Sequence, residues 1–281
     1  MSALSTIGLS KHYGGRRALQ DCAVDLPEGK VVGLIGSNGA GKSTFLALAA
    51  GLVRPSAGTV RVFGDEVRGR SHPEAAYLPQ HRPLYKDFTV GEMIRAAGAM
   101  NQRWSRDRVE EALAATELDR DARVSSLSQG TRTQLALALS LGRLPKLLLL
   151  DEPLADLDVL AREDVLRLVM TDVADRGMTV VLSSHLLADL RDVCDHLLLL
   201  HEGRVLLEGD IEEILDEHSD IVGPVDDGTS ITGTVIRTSR AGRQQRMLVR
   251  APGSLAPGWE AQPPDLEGLV TNYLRASRET A

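Results

Sequence analysis

Residues 31–52, VVGLIGSNGAGKSTFLALAAGL, change character in the middle: a β-branched apolar run gives way to small residues ending in Lys42-Ser43-Thr44, and then to a second apolar run. Val31 to Ile35 reads as a buried strand, whereas Phe45, Leu46, Leu48, Ala49 and Leu52 recur at helical spacing. The small residues therefore occupy a strand-to-helix turn. They spell Gly36-Ser37-Asn38-Gly39-Ala40-Gly41-Lys42-Ser43, a match to G-x-x-x-x-G-K-[ST]. In such a loop, backbone N–H groups and a helix N-terminus surround phosphate oxygens, and a Cβ at the glycines would hold the backbone away from the anion. Lys42 is placed to reach β- and γ-phosphates and Ser43 to offer its hydroxyl to Mg²⁺, with Thr44 next to it in the first helical turn.

A strand–loop–helix of this kind needs an α/β core, and 281 residues hold one large α/β domain plus a small appendage. Hydrophobic content of 43% suits a globular chain. The net charge of −7, with no run of five or six basic residues, argues against a nucleic-acid partner. Arg103, Arg106 and Arg108 read as one solvated helix face. Cys22 and Cys194 are far apart and lack metal-ligand spacing, so reduced thiols are expected, Cys194 as a small core residue. The N-terminal MSALSTIGLSKHYGG has no basic start followed by an apolar stretch, and the tetraleucine runs at 147–150 and 197–200 fall far short of the roughly 20 residues that span a bilayer. A chain that neither crosses a membrane nor leaves the cell is expected.

Short apolar runs at 31–35, 147–150, 179–182 and 197–200 alternate with helical patterns, the order of a parallel sheet covered by helices. Residues 3–9 and 18–26 read as strands of an antiparallel layer joined by GTVRVFG at 58–64, and about 87–145 as a helical insert. EGRVLLEGD at 202–210 reads as a tight hairpin and IEEILDEH as the helix after it. From about 220 the composition shifts to Gly, Pro, Thr and Asp. Strands then follow in SITGTVIRTS and RQQRMLVRAP, and a last helix carries Leu266, Leu269, Val270, Tyr273 and Leu274 on one face behind an Asp265 N-cap. The expected division is residues 1–219 as the nucleotide-binding domain and 220–281 as a small accessory α+β domain.

KLLLLDEP at 146–153 is an apolar strand ending in two carboxylates, which places Asp151 and Glu152 at the sheet's C-terminal edge, where open α/β folds bind ligands. Adjacent strand residues point to opposite faces, so the two acids can have different tasks: Asp151 holding Mg²⁺ through water, Glu152 polarising the attacking water as general base.

LSQGTRTQLALALSL at 127–141 resembles the signature of the ATP-binding-cassette (ABC) ATPases, usually Leu-Ser-Gly-Gly-Gln and here Leu127-Ser128-Gln129-Gly130-Thr131. Ser128 and Gly130 keep the hydroxyl, the close-approach glycine and the helix N-terminus; Gln129 and Thr131 depart from the usual form. The resemblance extends over about 5–215. It implies a P-loop NTPase core, with Tyr13 stacking on adenine, Gln80 in YLPQ sensing Mg²⁺ and the water, and Ala155-Asp156-Leu157-Asp158 as the D-loop. It further implies His185 as the switch histidine contacting the γ-phosphate, and His196 and His201 as structural or solvated. Lys42 and Leu127 are 85 positions apart, too few for the long coiled coil of chromosome-maintenance ATPases, and the single motif set excludes a tandem translation-factor type.

The same resemblance implies that each ATP lies between the phosphate loop of one subunit and the signature of another. The expected partners are therefore a second cassette, as homodimer or ABC heterodimer, and a separate transmembrane permease, with the chain peripheral on the cytoplasmic face of the cell membrane. LADLDVLAREDVL and DLEGLVTNYL further resemble ABC-2-type exporter ATPases. The rival reading is a soluble cassette acting as an assembly or regulatory clamp, as iron–sulfur assembly ATPases do.

Overall fold

The computed structural model describes residues 1–116, 118–225, 231–255 and 257–279. An N-terminal layer comes first: β1 (Ser2–Tyr13), β2 (Arg16–Pro27) and, after β3 (Val31–Ile35) and α1 (Lys42–Ala49), β4 (Ala57–Val62) and β5 (Asp65–Glu66). β6 (Ala75–Leu78) leads into the helical insert, α2 (Val90–Met100), α3 (Arg106–Leu113) and α4 (Gln129–Leu141). β7 (Leu147–Leu150), α5 (Val159–Arg176), β8 (Thr179–Ser184), β9 (His196–His201), β10 (Arg204–Asp210) and α6 (Ile211–Glu217) complete the α/β core. The chain ends in β11 (His218–Pro224), β12 (Thr234–Ala241), β13 (Gln244–Arg250), β14 (Glu260–Gln262) and α7 (Leu266–Glu279).

The central sheet has the order β10-β9-β3-β8-β7-β6, parallel except for the antiparallel β10–β9 hairpin. Every residue of β3, β7, β8 and β9 is buried, which is why the apolar runs of the sequence fall in these strands. Their side chains still divide by period two. Val32, Leu34, Leu147, Leu149, Val181, Leu198 and Leu200 pack with Phe45, Leu46 and Leu48 of α1 and with the antiparallel layer β2-β1-β4-β5. Val31, Ile35, Leu148, Leu150, Val180, Leu182, Leu197 and Leu199 face α4, α5 and the rest of the helical side. The seam that carries the phosphate loop is thus clamped on both faces. α1 ends earlier than the apolar spacing implied: Gly51 takes φ +72°, and Leu52 beyond it is 61% exposed.

In the insert, α2 starts on a capping box, with Glu92 N–H donating to Thr89 Oγ1 (3.1 Å) and Thr89 N–H to Glu92 Oε2 (2.8 Å). Such a cap contributes about 1 kcal/mol. Arg108 is not solvated as its sequence setting implied. It is buried, and its Nε donates to Asp172 Oδ1 at 2.9 Å, tying α3 to α5 across 64 positions of chain. His196 and His201 are likewise buried. Cys22 and Cys194 are free thiols, and burial, reinforced by Asp195, pushes the Cys194 thiol up to about 12.

The third sheet, β12-β13-β11-β14, is antiparallel and begins at His218, directly after α6. It has a small core of Ile221, Ile231, Met247, Val249 and Trp259. Gly223 is obligatory beneath Trp259, because a Cβ there would lie 2.3 Å from the indole. α7 does not belong to that core. Asp265 Oδ1 accepts Gly268 N–H at its start, and Leu266, Leu269 and Val270 join the main apolar core with Leu207, Ile214 and Leu248. No helix among the described residues is long and apolar enough to cross a membrane.

Candidate active site

The phosphate loop forms where β3 runs out beside β9. A Cβ on Gly36 would lie 2.4 Å from Leu200 O, and one on Gly41, at φ +111°, 2.7 Å from Ala18 O, so neither position admits a side chain. Ala40 is buried and donates its N–H to Ser37 O (3.0 Å), closing the turn. α1 then starts at Lys42 with no side-chain cap and no acid in its first turn. Its first N–H groups are left free for an external acceptor, which the helix dipole makes an anion.

Around this loop lies an open cleft of about 1300 Å³. It gathers Tyr13, Asn38, Gly39, Gly41, Lys42, Ser43, Thr44, Gln80, Asp151, Glu152 and His185, which come from five separate stretches of the chain. Gly36, Ser37 and Ala40 form the base of the loop rather than the cleft wall. Ser128 and Gly130 do not line it: they sit at the start of α4, where Ser128 Oγ accepts Thr131 N–H (3.1 Å) and lies 2.8 Å from Thr131 Oγ1. The missing Cβ of Gly130 also has an internal cause, since one would approach Ala161 Cβ to 2.9 Å.

Lys42 Nζ donates to Gly36 O (2.7 Å) and lies 3.2 Å from Glu152 Oε1. The other Glu152 oxygen is 2.8 Å from His185 Nδ1. Glu152 is buried and held at φ +48°, a left-handed conformation that non-glycine residues rarely adopt. Asp151 is also buried and forms no ion pair among the described residues: Oδ1 accepts Ser183 Oγ–H (2.9 Å) and Oδ2 accepts Tyr77 O–H (3.3 Å). Burial first, and then the Asp151 charge, raises the Tyr77 pKa, which keeps this phenol a donor. Ser183 further accepts Glu152 N–H (2.9 Å), so a single hydroxyl sets both acids in register. Neither Tyr77 nor Ser183 was legible as a site residue. The signal was a pair of hydroxyls, Ser183 and Ser184, ending the strand directly after the apolar run Val180–Leu182.

Oxygen donors of three kinds, the Ser43 hydroxyl, the Gln80 amide and the uncompensated Asp151 carboxylate, line one cleft. No cluster of three His, Cys, Asp or Glu exists among the described residues. That donor set fits a hard cation that keeps its waters and shares phosphate oxygens, as Mg²⁺ does, and fits zinc poorly.

The ABC transporter family model matches residues 19–155. The chain is 30% identical over 214 residues to the ABC transporter ATP-binding protein YtrB of Bacillus subtilis, covering 75% of this chain and 73% of that protein. It is 34% identical over 224 residues to the Nod factor export ATP-binding protein I of Mesorhizobium japonicum, covering 77% and 66%. A solved structure of the ATP binding subunit of an ABC transporter superposes with a TM-score of 0.68 at 28% identity, over 76% of this chain and 92% of that one. With a phosphate loop, a buried acid pair and a histidine converging in one cleft, the chain belongs to the ABC transporter family, as an ATP-binding and ATP-hydrolysing subunit of a transporter.

Proposed function

We propose that this subunit powers export, works as a dimer with a second cassette, and drives a separate transmembrane permease from the cytoplasmic face of the cell membrane. The observation that carries the dimer is the division of the motifs. One cleft holds Lys42, Ser43, Gln80, Asp151, Glu152 and His185, while Ser128 and Gly130 lie outside it at the start of α4. A second chain is needed to bring a signature to each cleft. Export is favoured by the Nod factor export relative and by the resemblance to ABC-2-type exporters.

In this reading Tyr13 stacks on adenine, and the loop amides with Lys42 bind the phosphates. Ser43, Asp151 and Gln80 would hold Mg²⁺, which would supply neutralisation of phosphate charge. The γ-phosphate competes with Glu152 for Lys42. Once Lys42 turns to phosphate, Glu152 keeps its contact with His185 and gains a carboxylate oxygen free to accept a proton from the attacking water. Residues 218–279 carry none of these groups and are read as an accessory unit; an ATP titration of the chain shortened at Glu217 checks that division.

Mixing Lys42→Ala and Ser128→Arg subunits tests the shared site. A mixed dimer concentrates both defects in one cleft and leaves the other whole, so ATPase activity is expected to recover on mixing. No recovery in a demonstrably formed mixed dimer overturns it. Co-purification of a polytopic partner from detergent-solubilised membranes tests the transport arrangement.

A further inference from the structure

Arg82 follows Gln80 by two positions. It lies in a loop, yet it is only 9% exposed and its backbone is left-handed at φ +45°. Its Nη2 donates to Pro153 O at 3.0 Å and to Ala155 O at 3.3 Å. These two carbonyls bracket the buried Leu154 in the turn that runs from Glu152 to Asp156. That turn closes on itself through Ala155 N–H to Glu152 O (3.2 Å), and both its ends, Glu152 (φ +48°) and Asp156 (φ +61°), are left-handed as well. On the other side, Arg82 N–H donates to Pro79 O (3.0 Å) and Leu84 N–H to Arg82 O (2.8 Å), so the Gln80 turn is equally closed.

Two tight turns therefore face each other, three non-glycine residues hold unfavourable backbone, and one guanidinium spans the gap. Such conformations persist only where the surroundings over-determine them. Arg82 is also an expensive choice for a mere filler. Burial disfavours its charge, the Asp156 carboxylate opposes that effect, and its Nε has no hydrogen-bond partner among the described residues. One terminal nitrogen, Nη2, reaches two carbonyls of one turn from the backbone of another, at the end of a rigid planar group that lysine lacks.

We propose that Arg82 is a positioning residue that locks the Gln80 turn to the Glu152–Asp156 turn, so that the Gln80 amide and the Glu152 carboxylate move as one unit. This rests on the roles given above to Gln80 and Glu152. A displacement of the Gln80 turn, from whichever side it is driven, is thereby transmitted to the general base without passing through the nucleotide.

The test uses the full chain: Arg82→Met, Arg82→Lys, Gln80→Ala, the Gln80→Ala/Arg82→Met double variant and Glu152→Gln. Each is measured for Mg-ATP hydrolysis, for equilibrium binding of a fluorescent ATP analogue, and for Tm. Misplacing a reacting group by about an ångström costs on the order of 10²-fold, so Arg82→Met is expected to lower kcat by about 10- to 100-fold at unchanged KM and analogue affinity. Arg82→Lys is expected to restore part of that loss. Because both residues act through one geometry, the double variant is expected to be no slower than Gln80→Ala alone. Wild-type kcat in Arg82→Met, or defects that multiply in the double variant, overturns the proposal. If Arg82→Met melts early, Arg82→Lys decides: a lowered kcat at wild-type KM and Tm supports the lock, and a wild-type kcat refutes it. Glu152→Gln separates the two levels. Hydrolysis at the wild-type rate in that variant defeats the reading of the site, whereas an inactive Glu152→Gln beside fully active Arg82 variants defeats only the lock.

Discussion

Two buried ion pairs of similar exposure lie in different regions. In the cleft, Lys42 and Glu152 have side chains 6% and 8% exposed, with Nζ and Oε1 3.2 Å apart. Between α3 and α5, Arg108 and Asp172 are 5% and 4% exposed, with Nη2 and Oδ1 2.8 Å apart. Their surroundings differ. Each cleft partner already has a second contact, Gly36 O for the lysine and His185 for the acid, and both face a cleft of about 1300 Å³. The α3–α5 pair lines a smaller pocket of about 290 Å³ and is held by neighbouring charges of the chain itself: Nε also donates to Asp172, Glu111 lies 3.6 Å from Arg108, and Arg176 lies 3.3 Å from Asp172. A buried ion pair is thus exchangeable or fixed according to what competes for its members, and burial alone does not say which.

The sharpest way to break this contrast is Glu152→Gln, which keeps size and hydrogen-bonding reach but removes the proposed general base. Loss of a general base lowers rate by about 10²–10⁴, so hydrolysis is expected to fall by that order while ATP affinity and Tm change little. In the proposed dimer, where ATP joins the subunits and hydrolysis releases them, the variant is expected to accumulate as a closed dimer in Mg-ATP, visible by size-exclusion chromatography. An unchanged rate would make Glu152 a strand-end acid. Asp172→Asn is the opposite experiment. Leaving Arg108 with only the exposed Glu111 as counter-charge is expected to cost up to about 3–5 kcal/mol of stability with the ATPase rate of the folded fraction preserved. Chemical denaturation measures the first and low-temperature kinetics the second, and a pure rate defect would contradict the fixed role.

A smaller effect is expected at the cleft rim. Tyr13 is 48% exposed, with Lys11 Nζ 5.0 Å from its ring centroid. Tyr13→Ala is expected to weaken ATP binding by about 1 kcal/mol, with Tyr13→Phe or Trp tolerated. Calorimetric titration distinguishes them, and equal loss in all three argues against stacking. The smallest effect belongs to the fixed side, where His218 Nδ1 lies 2.6 Å from Ile214 O and Nε2 lies 2.8 Å from Tyr273 Oη, joining α6, β11 and α7. Burial lowers the His218 pKa, assisted by Arg250 and opposed by the Ile214 carbonyl and Glu217. With a folded pKa below the unfolded value of about 6.5, the neutral-histidine contribution is complete above that value and lost as pH falls below it. A Tm series between pH 7 and 5 is expected to decline less steeply in His218→Phe than in the wild type.

The site was legible where it is contiguous. Gly36 to Ser43 forms its loop from one stretch because glycine positions and a helix start are local features, and Asp151-Glu152 is marked by the abrupt end of an apolar strand. Gln80 and His185 were legible only through resemblance, since an isolated Gln or His after a strand carries no chemistry by itself. Tyr77, Ser183 and Arg82 escaped notice because each acts through a partner more than 30 positions away. Arg108 was misread for the same reason: its neighbours Arg103 and Arg106 suggested solvent, and Asp172 is distant in the chain.

By itself, the sequence determined the alternation of buried strands and helices, the phosphate loop and the paired acids, all consequences of local geometry and of apolar periodicity. Tertiary packing decided which charges became exchangeable and which became fixed. It also decided that α7 buries Leu266, Leu269 and Val270 in the main apolar cluster, which Leu248 of the small sheet joins, rather than in the separate cluster around Trp259, and that Ser128 stays outside its own chain's cleft. The physical reason is common to all three: burial and charge pairing are set by neighbours brought together from distant parts of the chain, and no local pattern encodes who those neighbours are.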